Sequence, residues 1–106
     1  KNLGEIMEFL VNIKITWPQN WSPAQIEKVS LEEREHIKGV IAKGIMKRMW
    51  RVPGRRENWG LWEAKDATEL HNFLSRLPVF PYMDIQVHPL AVHPVDPLKP
   101  KDMEVF

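Results

Sequence analysis

The feature that most constrains this chain is a hydrophobic pattern that changes period repeatedly along its length. Over residues 8–16, Phe9, Val11, Ile13 and Ile15 alternate with Leu10, Asn12, Lys14 and Thr16. Period two with β-branched side chains predicts a half-buried strand. Trp17-Pro18-Gln19-Asn20-Trp21 breaks it, and Ser22-Pro23-Ala24-Gln25 opens a helix. Serine caps, proline suits the first helical position, and Gln25 completes an S-x-x-Q capping box. Ile26, Val29, Ile37, Val40 and Ile41 then recur at helical spacing, and Lys43-Gly44 supplies a favourable end.

Two further strands are expected near 47–52 and 58–63, joined by a turn at Pro53-Gly54-Arg55-Arg56. The second of these is rich in Trp59, Leu61 and Trp62. A second helix opens at Asp66, with Glu69 as capping partner. It turns Ala67, Leu70, Phe73, Leu74 and Leu77 inward, and Pro78 stops it. Met83, Ile85 and Val87 alternate with Asp84, Gln86 and His88 in a last strand. The order β-α-β-β-α-β is the ferredoxin-like α+β arrangement, four antiparallel strands with helices on one face. The other face would be left partly apolar, with Leu10 and some of the five tryptophans to cover it. Residues 1–6 precede the patterned chain as a short extension, and residues 93–106 read as an extended arm or tail.

Composition excludes several functions. A chain of 106 residues with 43% hydrophobic and 27% charged residues suits one globular domain. A deep cavity is hard to enclose alone at this size, which favours a site completed by a neighbouring subunit. There is no cysteine, hence no disulfide, thiolate nucleophile or cysteine-bound metal. A net charge of +1 argues against a nucleic-acid partner, and no apolar run approaches the roughly 20 residues of a membrane span. The expectation is a cytoplasmic protein.

One residue contradicts its surroundings. Stepping about 100° per residue from Ile26, the positions Val29, Ile37, Val40 and Gly44 cluster in one direction, and Glu33 falls almost at their centre. Glu32, Arg34, Glu35 and Lys38 fall elsewhere. A carboxylate aimed at the sheet costs several kcal/mol unless paired or neutralised, and desolvation raises its pKa toward that of a useful base. A buried ion pair with Arg48 or Arg51 would explain Glu33 equally well. His71 lies beside the apolar face of the second helix, where most histidines only hydrogen-bond locally. His88 and His93 lack the companions of a metal site. The run Arg48, Arg51, Arg55 and Arg56 is more often a solvated hairpin, although Arg51 suits a carboxylate clamp. No phosphate loop, nucleophile elbow or zinc motif is present.

The segment Leu77-Pro78-Val79-Phe80-Pro81-Tyr82-Met83-Asp84-Ile85 closely resembles the LPLFPYMDI block of the muconolactone Δ-isomerases. Met49-Trp50-Arg51 with Gly54 resembles that family's LWR-x-x-G stretch, Leu70-His71 its LH pair and His93-Pro94 its RHP ending. Asn58 and Glu33 fall where the family has an asparagine and a glutamate. The resemblance spans 7–94, taken as the domain, with 95–106 as the C-terminal arm. It implies a dimeric α+β barrel of ferredoxin-like subunits, gathered into a homodecamer. It also implies an intramolecular oxidoreductase that transposes a C=C bond without metal or cofactor. Muconolactone would become 3-oxoadipate enol-lactone in the β-ketoadipate pathway of bacterial aromatic catabolism. On that resemblance Glu33 is the general base and acid. Arg51 grips the carboxylate of the small-molecule lactone, Asn58 and Tyr82 position it, and Trp59 and Phe80 shape the apolar wall.

The chain departs from the family at several places. Arg48 replaces a histidine, Arg56 and Trp59 replace a pair of tyrosines, Gly60 a serine and Trp62 a phenylalanine. Two alternatives follow: a dehalogenase of a chlorinated muconolactone using the same base, or a non-catalytic dimeric-barrel module in which Glu33 is merely salt-bridged.

Overall fold

The structure is a computed structural model that describes residues 6–98. Most of the expected N-terminal extension and residues 99–106 of the expected arm lie outside the described residues. The elements are β1 (Met7–Ile15), α1 (Pro23–Ala42), β2 (Met46–Arg51), β3 (Glu57–Ala64), α2 (Ala67–Ser75), a 3-10 turn (Phe80–Tyr82) and β4 (Met83–Leu90). The strands form one antiparallel sheet in the order β2-β3-β1-β4, the ferredoxin-like topology predicted from the pattern.

The helix boundaries follow from local chemistry. The Ser22 hydroxyl accepts the Gln25 amide N–H at 3.2 Å, and the Gln25 side-chain oxygen accepts the Ser22 N–H at 2.7 Å. At the other end Gly44 adopts φ +76°, which glycine reaches without strain. Its N–H donates to the Ile41 carbonyl at 3.0 Å, while the Ile45 N–H donates to the Val40 carbonyl at 3.1 Å. Two otherwise orphaned carbonyls are satisfied in this way. In α2 the Asp66 carboxylate accepts the Glu69 N–H at 2.8 Å. The Glu69 side chain takes the N–H of Lys65 at 2.7 Å rather than that of Asp66, so the box is offset by one residue.

Phe9, Val11 and Ile13 of β1 pack with Met46, Trp62 and Ala64 beneath Leu70 and Leu74 of α2, and Leu77 closes that core. Fully burying each such side chain is worth about 1.5–3 kcal/mol. The two helices contribute unequally. α2 buries Leu70 and Leu74 in nine residues, whereas α1 buries only Val40 in twenty. Ile41, expected to face inward, is 50% exposed, because it stands about 100° around the helix from Val40. The incomplete contact of α1 leaves room between it and the sheet.

A register shift in β2 decides which side chains enter that room. Between Met46 and Arg48 the pairing with β3 slips, with Met46 opposite Trp62 but Arg48 opposite Leu61. The extra residue reverses the alternation. Met49 and Arg51 therefore share the helix-facing side with Gly60 and Asn58, their partners across the strand pair. Arg48 and Trp50 go to the outer face, where the Arg48 guanidinium lies 4.9 Å from the centre of the Trp50 ring. Arg48 is thereby removed as a partner for Glu33. Trp50, 41% exposed, joins Leu10, Trp59 and Leu61 on this outer face, the partly apolar surface anticipated above. Also on this face, Asn12 is 3% exposed and donates to a Glu57 carboxylate oxygen at 2.9 Å. Among the described residues no helix is long and apolar enough to cross a membrane, and no cluster of three or more acidic, histidine or cysteine side chains could hold a metal ion.

Candidate active site

The room beneath α1 is a partly open cavity of about 490 Å³, within the range of small-molecule sites. α1 supplies Ser30, Glu33, Arg34, Ile37 and Lys38; β2 and β3 supply Met46, Met49, Arg51, Asn58 and Trp62. Ile13, Leu77 and Val79 complete an apolar floor.

Glu33 is partly buried at this wall. Its Oε1 accepts the backbone N–H of Val79 at 3.0 Å, a contact made possible because Leu77 and Val79 are anchored in the core. Among the described residues no arginine or lysine pairs with it. Arg51, proposed from the sequence as an ion-pair partner, lines the same cavity without forming that pair. The electrostatic outcome is a carboxyl whose pKa is pushed above the ordinary value of about 4.5 by burial. The Val79 N–H and the nearby His36 oppose that push without cancelling it.

Arg51 and Asn58 face one another in the β2–β3 register, and both reach the cavity. The structure thus brings together Glu33, Arg51 and Asn58, three of the six residues singled out from the sequence. The other three stand elsewhere. Trp59 follows Asn58 in an extended strand, so its side chain leaves by the opposite face, where its ring lies 5.7 Å from that of His88. Phe80 lines a separate cavity of about 300 Å³ between α2 and β4, edge-on to His71 at 6.4 Å. Tyr82 packs against Trp21 at 4.8 Å and Trp17 at 5.7 Å beside the start of α1.

Sequence reasoning missed Ser30, Arg34, Lys38, Met49 and Trp62 as cavity residues. Ser30 was findable, standing three residues before Glu33 on the same helical face. Arg34 and Lys38 lie off that face and reach the mouth through long stems, which a helical wheel does not register. Lys38 is also held by Glu35 at 2.8 Å. The arrangement suits a small anion with an apolar body. Cations stand at the rim, the floor is apolar, and the Glu33 carboxylate, with no arginine or lysine partner among the described residues, stands on the wall.

Comparison with known proteins identifies the family. The family model described as muconolactone delta-isomerase matches residues 7–96. The muconolactone Δ-isomerase of Pseudomonas aeruginosa is 35% identical over 88 residues, covering 83% of this chain and 92% of that protein. That of Cupriavidus pinatubonensis is 34% identical, covering 83% and 96%. A crystal structure of muconolactone isomerase superposes with a TM-score of 0.78 at 31% identity, covering 85% of this chain and 94% of that one. The chain belongs to the muconolactone Δ-isomerase family.

Proposed function

We propose that this protein isomerises muconolactone to 3-oxoadipate enol-lactone in aromatic catabolism, with Glu33 as the single proton carrier and no cofactor. The observation that carries the reading is a carboxylate with no arginine or lysine partner among the described residues, raised in pKa by burial, on the wall of a cavity shared with Arg51 and Asn58.

The chemistry follows from that placement. Arg51 holds the substrate's acetate arm by a charge-assisted contact. The ring carbon bearing that arm loses its proton to Glu33, and the electron pair moves through the ring toward the lactone carbonyl oxygen. Glu33 then returns the proton to the carbon next to that carbonyl, so the double bond moves by one position and nothing is gained or lost. A base with a raised pKa suits both steps, because it must accept a proton from carbon and give it back. Asn58 supplies a polar group to orient the ring.

Assembly belongs to the same reading. Dimers would close sheet against sheet into an α+β barrel, with Leu10, Trp50, Trp59 and Leu61 as the apolar contact, and gather into a cytoplasmic homodecamer as the family resemblance implies. The test is Glu33→Gln, which keeps the side chain's shape and its capacity to accept the Val79 N–H. Circular dichroism should be unchanged while turnover of muconolactone falls by at least about 10³-fold, counted as lost transition-state stabilisation. Turnover near the parent's rate would remove Glu33 from the mechanism.

A further inference from the structure

The cavity that holds Glu33 continues past the helix toward the start of α1. An open cleft of about 410 Å³ adjoins it there, and Ser30 and Arg34 line both spaces. Pro23 and Ile26 give the helix side of this cleft, and Arg56 comes from the hairpin that joins β2 to β3. Ser30 is a helical neighbour of Glu33 at i+3 and of Arg34 at i+4, so it stands between them on the surface of α1. Three polar groups at this seam have no partner among the described residues. The Ser30 hydroxyl is partly buried and makes no hydrogen bond there. Arg34 and Arg56 are exposed, and neither is paired with a carboxylate. Arg55 differs, since Glu57 holds it at 2.8 Å. Glu27 is the single acid on the cleft's described lining, against two arginines, so positive charge prevails.

We infer that Ser30, Arg34 and Arg56 form a second anion subsite beside Glu33, which takes a carboxylate carried on the lactone ring itself. The inference rests on the isomerase reading and extends its substrate class from a monoanion to a dianion. Arg51 enters the cavity from the sheet, whereas Ser30 and Arg34 enter from the helix. The acetate arm and the ring carboxylate therefore have separate donors, with the ring between them against Glu33. Two guanidinium groups and a hydroxyl match a carboxylate in charge and in hydrogen-bond sense. They also offset the repulsion that a second carboxylate beside Glu33 would otherwise bring. A single lactone ring with a short arm leaves part of the joined space unfilled, and the ring substituent occupies it. The ring carbon between the two that exchange a proton can carry this substituent without removing either site of proton transfer.

The experiment is calorimetric titration of the intact protein with two saturated γ-lactones, which have no ring double bond to move. One carries the acetate arm alone; the other also carries a carboxylate on the ring carbon between the two that exchange the proton. The parent is expected to bind the diacid at least about 10-fold more tightly than the monoacid. Arg34→Gln and Arg56→Gln should each lower that ratio by about 3-fold or more, and the double variant should bring it to about one. Both arginines are exposed, so the variants keep the fold, which circular dichroism checks. The ratio should also shrink as ionic strength rises from about 0.1 to about 1 M. A parent that binds the diacid no more tightly than the monoacid, or that binds neither, overturns the inference. So does a double variant that keeps the parent's ratio. The isomerase reading fails by a different sign, a parent that binds these lactones and does not turn over muconolactone. The ratio remains readable in that case because titration needs no turnover.

Discussion

Gly60→Ala tests the close packing of the Trp62 ring on the β3 backbone. Gly60 is buried in β3 without a positive φ, so alanine meets no backbone strain there. The new methyl carbon would stand 2.8 Å from Trp62 Nε1 and 3.3 Å from Cδ1. The ring cannot swing away freely, since it is 1% exposed and packed in the core with Phe9 and Met46. Overpacking of this kind costs about 1–3 kcal/mol. Replacing glycine also reduces the freedom of the unfolded chain, which returns about 0.4–1 kcal/mol. The net expectation is a loss of roughly 1–2 kcal/mol, a fall in Tm of about 4–16 °C at about 4–8 °C per kcal/mol for a domain of this size. Thermal and urea unfolding followed by circular dichroism read this directly. In a Trp62→Val background both clashing positions are empty, so the same substitution should be nearly neutral, a coupling of about 1–2 kcal/mol. A Gly60→Ala protein as stable as the parent, or equally destabilised in both backgrounds, refutes the packing argument.

Two further outcomes are expected. Arg51→Met should raise KM for muconolactone by about 10-fold or more while changing stability by less than about 0.5 kcal/mol, because the residue is exposed in the free protein; steady-state kinetics and a melting curve separate the two effects. The Glu57 carboxyl is held below its ordinary pKa, first by the Asn12 amide and then by Arg55. A lowered carboxyl pKa stabilises the fold above the ordinary value and loses that contribution as pH falls through the lowered one. Glu57→Gln should therefore flatten the acid side of the stability curve below about pH 4.5, as measured by urea midpoints across pH.

The fold was legible because its decisive signals are local. Ser22 with Gln25, Gly44, and the alternation of β1 each fix one element by short-range chemistry, and the element order then restricts the topology. The carboxylate was legible for the same reason, since a charge at the centre of an apolar helical face is visible without any tertiary contact. The cavity's other walls were not. Which face of β2 carries Arg51 depends on a register slip after Met46, and nothing in Lys47-Arg48 announces it. For Trp59 the signal was present and overlooked: adjacent residues of a strand leave by opposite faces, so Asn58 and Trp59 cannot both line one pocket. Phe80 and Tyr82 sit in the 3-10 turn leading into β4, where neither period two nor period 3.6 says which way a side chain goes. The sequence block that most strongly signals the family also places the Val79 N–H on Glu33, a backbone contribution that side-chain reading does not reveal.

The measurement nearest the centre of the account is the ionisation of Glu33 in the folded protein, followed through its ¹³C-labelled side-chain carboxyl across pH and set beside the pH dependence of kcat/KM. Burial predicts a midpoint above about 4.5, with kcat/KM falling through the same midpoint as pH drops and the base takes up its proton. The sign for stability is opposite. Folding is favoured while Glu33 is neutral, so its contribution declines as pH rises from the ordinary value through the raised one. A Glu33 that titrates at or below the ordinary value, or an acid limb whose midpoint differs from that of its carboxyl, would contradict the claim that this side chain carries the proton.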